Sequence, residues 1–342
     1  MTTIAITGVG GGLGRCLLAR LDADPTVERV VGIDAVPPRD GSPKMEFFES
    51  DVRDERIGRF LDGCDAVVHL AFAPDSARRP DEMRSVNVDG TRNVAAAARA
   101  VAGGRLVFAS TATVYGANPD NDFPLTERSP VRPSADYAYA VNALDAEEAA
   151  AEAGDAVVLR LANVFGSDTD NFVMRMFQSP RFLTIRGHAP PLQMVHQDDA
   201  AAALHLACGR ALSAGIYNVA ADGWMDLSEA LALAGRRSVE MPEAVAYSLA
   251  ERAWRLNLSG APPAEIAYLM YPWVMDNAKM RAAGWTPART NRETLVEAVE
   301  AHRPWVALGR GKVRKADLAK GAAATVGLLA AMGALRRSRR RP

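Results

Sequence analysis

Thr7-Gly8-Val9-Gly10-Gly11-Gly12-Leu13-Gly14 is the stretch that decides the fold of this chain. It follows a β-branched run at residues 2–6 and leads into residues 13–21, whose leucines recur at helical spacing. The order is therefore strand, glycine turn, helix. Glycine lets backbone N–H groups and the positive end of a helix dipole approach an anion that a Cβ would keep away. The stretch predicts a diphosphate-binding turn, although similar glycine spacing also occurs in plain turns.

An acidic residue further along supports a dinucleotide as the ligand of this turn. A second apolar strand, predicted at residues 27–33, ends in Asp34, twenty residues after Gly14. A carboxylate at this place accepts hydrogen bonds from both ribose hydroxyls of NAD and repels the additional phosphate of NADP. Arg39 lies close by in the sequence and weakens that preference. We therefore predict NAD as the cofactor in preference to NADP.

Strands alternate with helices through the first half of the chain. Apolar runs and helical patterns predict strands at residues 45–48, 65–72, 105–109 and 156–161, and helices at residues 81–102 and 134–153. This alternation is typical of an α/β fold with a doubly wound parallel (Rossmann) sheet. We assign residues 1–162 to an NAD-binding Rossmann domain on which residues 193–215 also pack. Residues 163–192 and 216–302, with a short strand at 216–219, are predicted to form a smaller, mixed, mainly helical cap on the substrate side.

Charge and composition limit the classes of function. The 342-residue chain has a net charge of −1, but residues 303–342 carry +10, which leaves −11 for the rest. We predict residues 303–342 to be a flexible basic tail whose candidate partners are an anionic membrane surface and nucleic acid. Three widely spaced cysteines give no metal-ligand pattern, so we predict no metal site. Without a basic leader or a long apolar run, we expect a cytoplasmic protein, with the tail as a candidate peripheral membrane contact.

Further motifs occur in a set order along the chain. They are DV at 51–52, HLA at 69–71, NVDGT at 87–91, LRLANVFG at 159–166, VHQDD at 195–199 and GWTP at 284–287. Together with the glycine turn and Asp34, this series resembles the extended short-chain dehydrogenase/reductases, the NAD-dependent epimerase/dehydratase family. The resemblance covers about residues 1–300. It implies a homodimer formed through the helices at 81–102 and 134–153.

The resemblance also implies which residues bind the cofactor and which carry the chemistry. The implied cofactor-binding residues are Gly8, Gly10, Gly11, Gly12, Leu13, Gly14, Asp34, Asp51, Val52, Leu70, Ala71, Asn87, Ser110 and Tyr139. In this family a Ser or Thr after the fifth strand orients the substrate oxygen, and a Tyr on the next helix exchanges a proton with it. Thr111 and Tyr139 match these two catalytic positions, with Ser110 beside Thr111.

One catalytic position departs from the family pattern. In the family's Tyr-x-x-x-Lys motif the lysine lowers the pKa of the tyrosine and holds the nicotinamide ribose, but Ala143 stands four residues after Tyr139. Starting the motif at Tyr137 places Val141 there instead. An unperturbed tyrosine is ionised to about one part in a thousand at neutral pH, and lowering its pKa to about 7 is worth roughly 4 kcal/mol. The missing lysine therefore predicts an impaired or rearranged site.

The substrate side of the chain also lacks features of nucleotide-sugar enzymes. The resemblance places two diphosphate-pairing arginines where this chain has Leu192 and a residue near Ile266. Large apolar and aromatic residues occur in the cap, at Trp254, Tyr268, Met270 and Trp273. These residues either form the core of the cap or line a site for a less charged, more apolar ligand.

Two functions remain open from the sequence. The first is an NAD-binding oxidoreductase or epimerase/dehydratase-like enzyme that acts on a hydroxyl or carbonyl of a small, apolar or sugar-like substrate. The second is a catalytically silent NAD(P)-binding sensor or scaffold, which the alanine at position 143 favours.

Three further predictions concern residues outside the proposed chemistry. We expect His69 and His196 to be structural histidines rather than bases. We expect Tyr115 either to pack or to line the substrate space. We also expect Glu147 and Glu148 to form a solvated charged face of their helix.

Overall fold

The computed structural model describes residues 2–39, 41–73, 79–100, 104–169, 171–179, 181–259, 261–308 and 311–314. Its strands are β1 (Thr2–Thr7), β2 (Val27–Asp34), β3 (Met45–Glu49), β4 (Ala66–His69), β5 (Arg105–Thr111), β6 (Asp155–Leu161), β7 (Asn163–Phe165), β8 (Arg181–Ile185), β9 (Met194–His196), β10 (Gly215–Val219), β11 (Arg237–Met241), β12 (Trp305–Leu308) and β13 (Gly311–Arg314). Beyond Arg314 the predicted tail lies outside the described residues.

Helices separate most of these strands. They are α1 (Gly12–Ala23), α2 (Ile57–Phe60), α3 (Pro80–Arg84), α4 (Gly90–Ala100), α5 (Ala138–Ala151), α6 (Phe172–Gln178), α7 (Gln197–Cys208), α8 (Leu227–Leu233), α9 (Glu243–Arg255), α10 (Ala278–Ala282) and α11 (Asn291–His302). A π-helical turn, Ser85–Asp89, joins α3 to α4, and 3-10 turns lie at Ala112–Tyr115 and Pro263–Leu269. No helix of the described ranges combines the length and apolarity that crossing a bilayer needs.

Seven parallel strands form the central sheet in the order β10-β6-β5-β4-β1-β2-β3. Buried apolar residues dominate β1, β2, β4, β5 and β6, as expected of strands covered by helices on both faces. This arrangement confirms the predicted doubly wound α/β fold. The strand order reverses between β1 and β4, and ligands of open α/β sheets bind outside the carboxyl ends of the strands at such a point.

The sheet extends further along the chain than the sequence pattern predicts. Strand β10 pairs in parallel with β6 and therefore belongs to the Rossmann sheet, whereas the sequence assigns residues 216–219 to the cap. The pairing is long-range, so the local pattern could not place it. The strand predicted at 65–72 ends at His69, because the chain then turns across Gly8. Helix α5 begins at Ala138 rather than at residue 134, after a turn in which Tyr137 N–H donates to Ser134 O.

The cap is mixed, with its own small sheet. Strands β8 and β11 pair in parallel, and α6, α8, α9 and a 3-10 turn surround them. The sequence analysis names no strand at β11 within the predicted mixed, mainly helical cap. At the C-terminal end of the described residues, β12 and β13 form an antiparallel hairpin. Residues 305–308 and 311–314 of the predicted tail therefore form secondary structure, and the flexibility of the tail remains a prediction.

Candidate active site

The glycine turn lies at the reversal point of the sheet, between β1 and α1. Gly8 has a φ of +77°, and a Cβ there would lie 2.6 Å from the Ala71 backbone nitrogen. Gly11 N–H donates to Gly8 O at 3.1 Å, and α1 begins at Gly12 with no acidic residue in its first turn. The first N–H groups of a helix have no intrahelical partner and carry the positive end of its dipole. The turn therefore offers a cradle for an anion.

A cleft of about 950 Å³ lies on one side of this turn, and we call it the nucleotide-side cleft. The predicted cofactor residues that line it are Gly8, Gly10, Gly11, Asp34, Asp51, Val52, Leu70 and Ala71. Asp34 Oδ2 accepts the Gly10 N–H at 2.9 Å. The Arg53 guanidinium, 2.6 Å from Asp51, holds the pKa of that carboxyl below its usual range. Both carboxylates are therefore placed to accept hydrogen bonds from a nucleoside in the cleft.

Asn87 lies behind the nucleotide-side cleft and does not line it. It sits in the π-helical turn, where its side-chain oxygen accepts the Ala73 N–H at 2.6 Å and its amide donates to Ala73 O at 3.2 Å. This pairing fixes the segment after β4, which carries Leu70 and Ala71 into the cleft. Asn87 thus acts on the backbone of the cleft wall, and direct contact with a cofactor stays a prediction.

A second cleft, of about 550 Å³, lies on the other side of the glycine turn, and we call it the substrate-side cleft. The predicted residues that line it are Gly8, Gly11, Gly12, Leu13, Gly14, Leu70, Ser110, Thr111 and Tyr139. Gly8, Gly11 and Leu70 line both clefts. The two clefts are therefore neighbouring halves of one site joined at the glycine turn.

Thr111 presents a hydroxyl whose acceptor sites are already used. It caps the 3-10 turn after β5, and its Oγ1 accepts the Thr113 N–H and the Thr113 hydroxyl, both at 3.2 Å. A threonine hydroxyl has two acceptor lone pairs and one donor hydrogen. Its remaining capacity is to donate, which suits binding of a substrate oxygen.

Tyr139 stands in the first turn of α5, half-buried in the substrate-side cleft. Its ring packs edge-on against Phe72 at 5.5 Å and lies 6.1 Å from the ring of Tyr137, which lines the same cleft. One turn along α5, Ala143 is 1% exposed and belongs to the apolar core. A methyl group thus fills the place where the family pattern has lysine. Both tyrosines reach the cleft, and neither has a lysine four residues later.

Glu147 corrects one prediction from the sequence, because it is buried rather than solvated. It forms a bidentate ion pair with Arg160 on β6, with the closest approach at 2.6 Å, and it accepts a hydrogen bond from the Ser110 hydroxyl at 2.5 Å. Glu148 beside it is exposed, as expected. The buried pair needs its partners because an unpaired charge in the interior is costly. It holds Ser110 at the edge of the cleft.

Both histidines and Tyr115 have structural contacts. His69 is fully buried, with Nδ1 2.6 Å from the Thr7 hydroxyl and Nε2 3.0 Å from the Thr91 hydroxyl. Nδ1 of His196 accepts the Asp198 N–H and so caps α7. Tyr115 is fully buried and donates its hydroxyl to the Asn218 side chain at 2.7 Å. None of the three lines either cleft.

The cap contributes apolar walls and two charges to the substrate-side cleft. Tyr268 and Trp273 line it and are also mostly buried in the core, so they serve both of the roles that the sequence left open. Leu192 and Ile266 are buried outside it. In the described part of the chain, the charged residues that line this cleft are Arg175 and Glu265.

Sequence reasoning missed several residues at the site. Arg15 and Asp168 lie beside the glycine turn, Glu265 and Arg175 line the substrate-side cleft, and Trp305 lines the nucleotide-side cleft. Arg15 directly follows the last glycine of the turn, so its position gave a usable signal. The other four come from distant segments, and no local pattern links them to the turn.

Comparison with known proteins places the chain in a family. The family model described as "NAD dependent epimerase/dehydratase family" matches residues 4–220. The chain belongs to this family. The match confirms the predicted family, its NAD cofactor and an enzyme of the epimerase/dehydratase kind. The glycine cradle and the ribose-side carboxylate of Asp34 fit that cofactor.

Individual relatives of this chain carry different names. An uncharacterized protein of Mycobacterium tuberculosis is 32% identical over 308 residues, 85% of this chain and 82% of that protein. The L-arabinose 1-dehydrogenase (NAD(P)(+)) of Haloferax volcanii is 38% identical over 116 residues, 34% of this chain and 43% of that enzyme. A Thermotoga maritima UDP-glucose 4-epimerase, solved with UDP-glucose, has a TM-score of 0.69 at 21% identity, covering 88% of this chain and 99% of its own. That likeness shows the shared fold.

Proposed function

We propose that this protein is an NAD-dependent oxidoreductase that transfers hydride between the cofactor and a carbon bearing a hydroxyl or carbonyl group. The observation that carries the proposal is that Thr111 and Tyr139 line a cleft that shares Gly8 and Gly11 with the nucleotide-side cleft. A dinucleotide laid across the glycine turn therefore extends toward both hydroxyl groups. Proton exchange by a positioned side chain of this kind typically contributes about 10²–10⁴-fold to the rate.

The chain's own residues have separate tasks in this reaction. Bound NAD supplies the hydride acceptor or, when reduced, the hydride donor. Thr111 donates its hydroxyl hydrogen to the substrate oxygen and orients it. Tyr139, as the phenolate, takes the proton from a substrate hydroxyl during oxidation, and as the phenol it returns that proton during reduction.

The lining of the cleft supports a substrate without a nucleoside diphosphate. Neither position where the resemblance implies a diphosphate-pairing arginine supplies one, because Leu192 and Ile266 are buried outside the cleft. Next to Ile266, Glu265 lines the cleft and is 3% exposed, so the described lining carries one acidic side chain and one basic side chain, Arg175, rather than a pair of arginines. We therefore propose a small apolar or sugar-like alcohol or ketone. The partial match to a dehydrogenase named for L-arabinose is consistent with this class.

A second candidate is a family member that binds NAD(P) without turnover, as a sensor or scaffold. The buried methyl group of Ala143 favours it, because no lysine supports Tyr139 from the expected position. Both candidates require cofactor binding, so binding alone does not separate them.

Substitution of Tyr139 separates the two candidates. NAD⁺ reduction and NADH oxidation are measured on a panel of aldoses, apolar secondary alcohols and their ketones. We expect wild type to turn over at least one panel member and Tyr139→Phe to lower kcat by about 100-fold or more. NADH affinity is measured alongside, because the resemblance also places Tyr139 among the cofactor-binding residues. Tyr247→Phe is the matched control, because Tyr247 lies on α9 outside both clefts.

One result would contradict the role of Tyr139, and another would contradict the enzymatic assignment. If Tyr139→Phe retains wild-type turnover, Tyr139 does not carry the proton. If wild type turns over no panel member and Ala143→Lys does, the silent candidate is supported instead. The melting temperature of each variant is also measured, because Ala143 is buried and a lysine side chain in its place is expected to destabilise the fold.

A further inference from the structure

Arg15 lies against the anion cradle, although nothing in the motif assigns it a role. It is the first residue after the glycine turn, and its side chain folds back along the start of α1. Nη1 donates to Gly10 O at 2.6 Å, and Nη2 lies 2.9 Å from Asp168 Oδ1. The side chain is 19% exposed and lines the nucleotide-side cleft with Gly10 and Gly11. A planar guanidinium is thus held beside the N–H groups of the turn.

Asp168 is fixed on the same turn by its backbone. A Cβ on Gly12 would collide with the carbonyl oxygen of Asp168, so the two backbones touch directly. The Asp168 N–H donates to Gln197 Oε1 at 3.1 Å, which ties this segment to α7. Its carboxylate therefore stands at a site built for an anion, and the Arg15 guanidinium is the charge that offsets it. When a diphosphate binds there, its negative charge and the Asp168 carboxylate both lie near the positive charge of Arg15.

We propose that Arg15 is the cationic ligand of the cofactor diphosphate and that the Asp168 carboxylate competes with the diphosphate for it. Arginine binds phosphate oxygens through parallel N–H groups, with stronger hydrogen bonds than a neutral donor makes. The role rests on the proposed function in one respect, namely that NAD lies across the glycine turn. It adds a side-chain ligand to a site otherwise made of backbone N–H groups.

Phosphate chemistry at this position has two sources, the diphosphate of either cofactor and the 2′-phosphate of NADPH. The geometry favours the diphosphate. Arg15 contacts Gly10 O within the turn itself, whereas the Asp34 carboxylate occupies the ribose side through the Gly10 N–H. A 2′-phosphate would have to lie next to that carboxylate, which repels it.

The test compares ligands that do and do not carry a diphosphate. Dissociation constants of NADH, NADPH, ADP-ribose and adenosine are measured for the full chain and for Arg15→Gln, Arg15→Lys and Asp168→Asn. Arg20→Gln is the matched control, an exposed arginine on the same helix. We expect Arg15→Gln to weaken the first three ligands by about tenfold or more and to leave adenosine unchanged. Arg15→Lys should fall between, and Asp168→Asn should bind NADH about threefold more tightly.

Three outcomes would overturn the proposal. Arg15→Gln could bind NADH within twofold of wild type, it could lose affinity for NADPH alone, or Asp168→Asn could bind NADH more weakly. An unchanged melting temperature for Arg15→Gln is expected, because its ion pair is half-exposed on the aspartate side and such pairs stabilise little. If wild type binds no NADH, the cofactor assignment itself fails and this role falls with it. Loss confined to Arg15→Gln leaves the proposed function standing.

Discussion

His69 shows how one buried polar side chain keeps two strands and a helix in place. Thr91 donates its hydroxyl to Asn87 O at 2.5 Å and therefore accepts from His69 Nε2, while Nδ1 accepts from the Thr7 hydroxyl. Both nitrogens are satisfied with the ring neutral. Burial lowers the pKa of His69 to about 4. The ring thus links the end of β1, just before the glycine turn, to the helix behind the cleft.

The lowered pKa predicts how stability depends on pH. An unfolded histidine binds a proton near its ordinary pKa of 6.5, whereas folded His69 stays neutral until about pH 4. The unfolded state binds more protons between these values, so His69 removes stability as pH falls through that window, about 2 kcal/mol from neutral to about pH 5. Urea denaturation of wild type and His69→Asn checks this. His69→Asn should have a lower free energy of unfolding than wild type at neutral pH. On acidification, its free energy of unfolding should fall by less than that of wild type.

His188→Asn is the matched control for this measurement, because His188 is half-buried in the cap away from the sheet. It should keep the wild-type pH dependence. If the free energy of unfolding falls equally with pH in His69→Asn and in wild type, His69 is not the neutral buried group described.

Helix α5 positions Tyr139, the proposed proton donor, through residues spaced one turn apart. Tyr139 faces the substrate-side cleft, Ala143 packs in the core, and Glu147 pairs with Arg160 on β6. The helix is therefore anchored to the sheet by a buried ion pair two turns from Tyr139. From the sequence we expected Glu147 to lie on a solvated face of this helix. Helical spacing could not show that Glu147 is buried, because its partner, Arg160, lies on strand β6.

Removing Glu147 should destabilise the fold, whereas removing its neighbour should not. Glu147→Ala leaves the Arg160 guanidinium, 3% exposed, without its carboxylate, and breaking such a buried pair costs about 3–5 kcal/mol. Glu148→Ala removes an exposed carboxylate on the same helix and should change the free energy of unfolding by less than about 0.5 kcal/mol. Chemical denaturation measures both. Equal effects of the two variants would contradict the anchoring role of Glu147.

At the scale of the whole molecule, early and late segments of the chain both contribute to the nucleotide-side cleft. The glycine turn, Asp34 and Asp51 come from the first fifty or so residues, while Asp168, His302 and Trp305 close the same cleft from the other side. Nε2 of His302 lies 3.1 Å from Gly166 O, which fixes the end of α11 to the segment beside the turn. Late segments of the chain thus complete a site that the early segments begin.

This construction explains what the sequence could and could not predict. The order of strands and helices along the chain, the glycine turn and the hydroxyl residues after β5 and in α5 follow from local patterns, so the fold and these residues were predictable. Contacts such as Arg15 with Asp168, or Trp305 at the cleft, join segments more than a hundred residues apart. The hairpin β12–β13 was missed because a basic, short-stranded segment resembles a flexible tail. The homodimer and the membrane or nucleic-acid contact of the tail remain predictions.

Titration of the full chain with reduced cofactors tests the central claim most directly, that the glycine turn and Asp34 hold NAD across the two clefts. Cofactor fluorescence is followed as NADH and, separately, NADPH is added. We expect saturable binding of one NADH per chain, with NADPH weaker by about tenfold because the Asp34 carboxylate repels the 2′-phosphate. Absence of saturable NADH binding at millimolar cofactor, or tighter binding of NADPH than of NADH, would contradict the account.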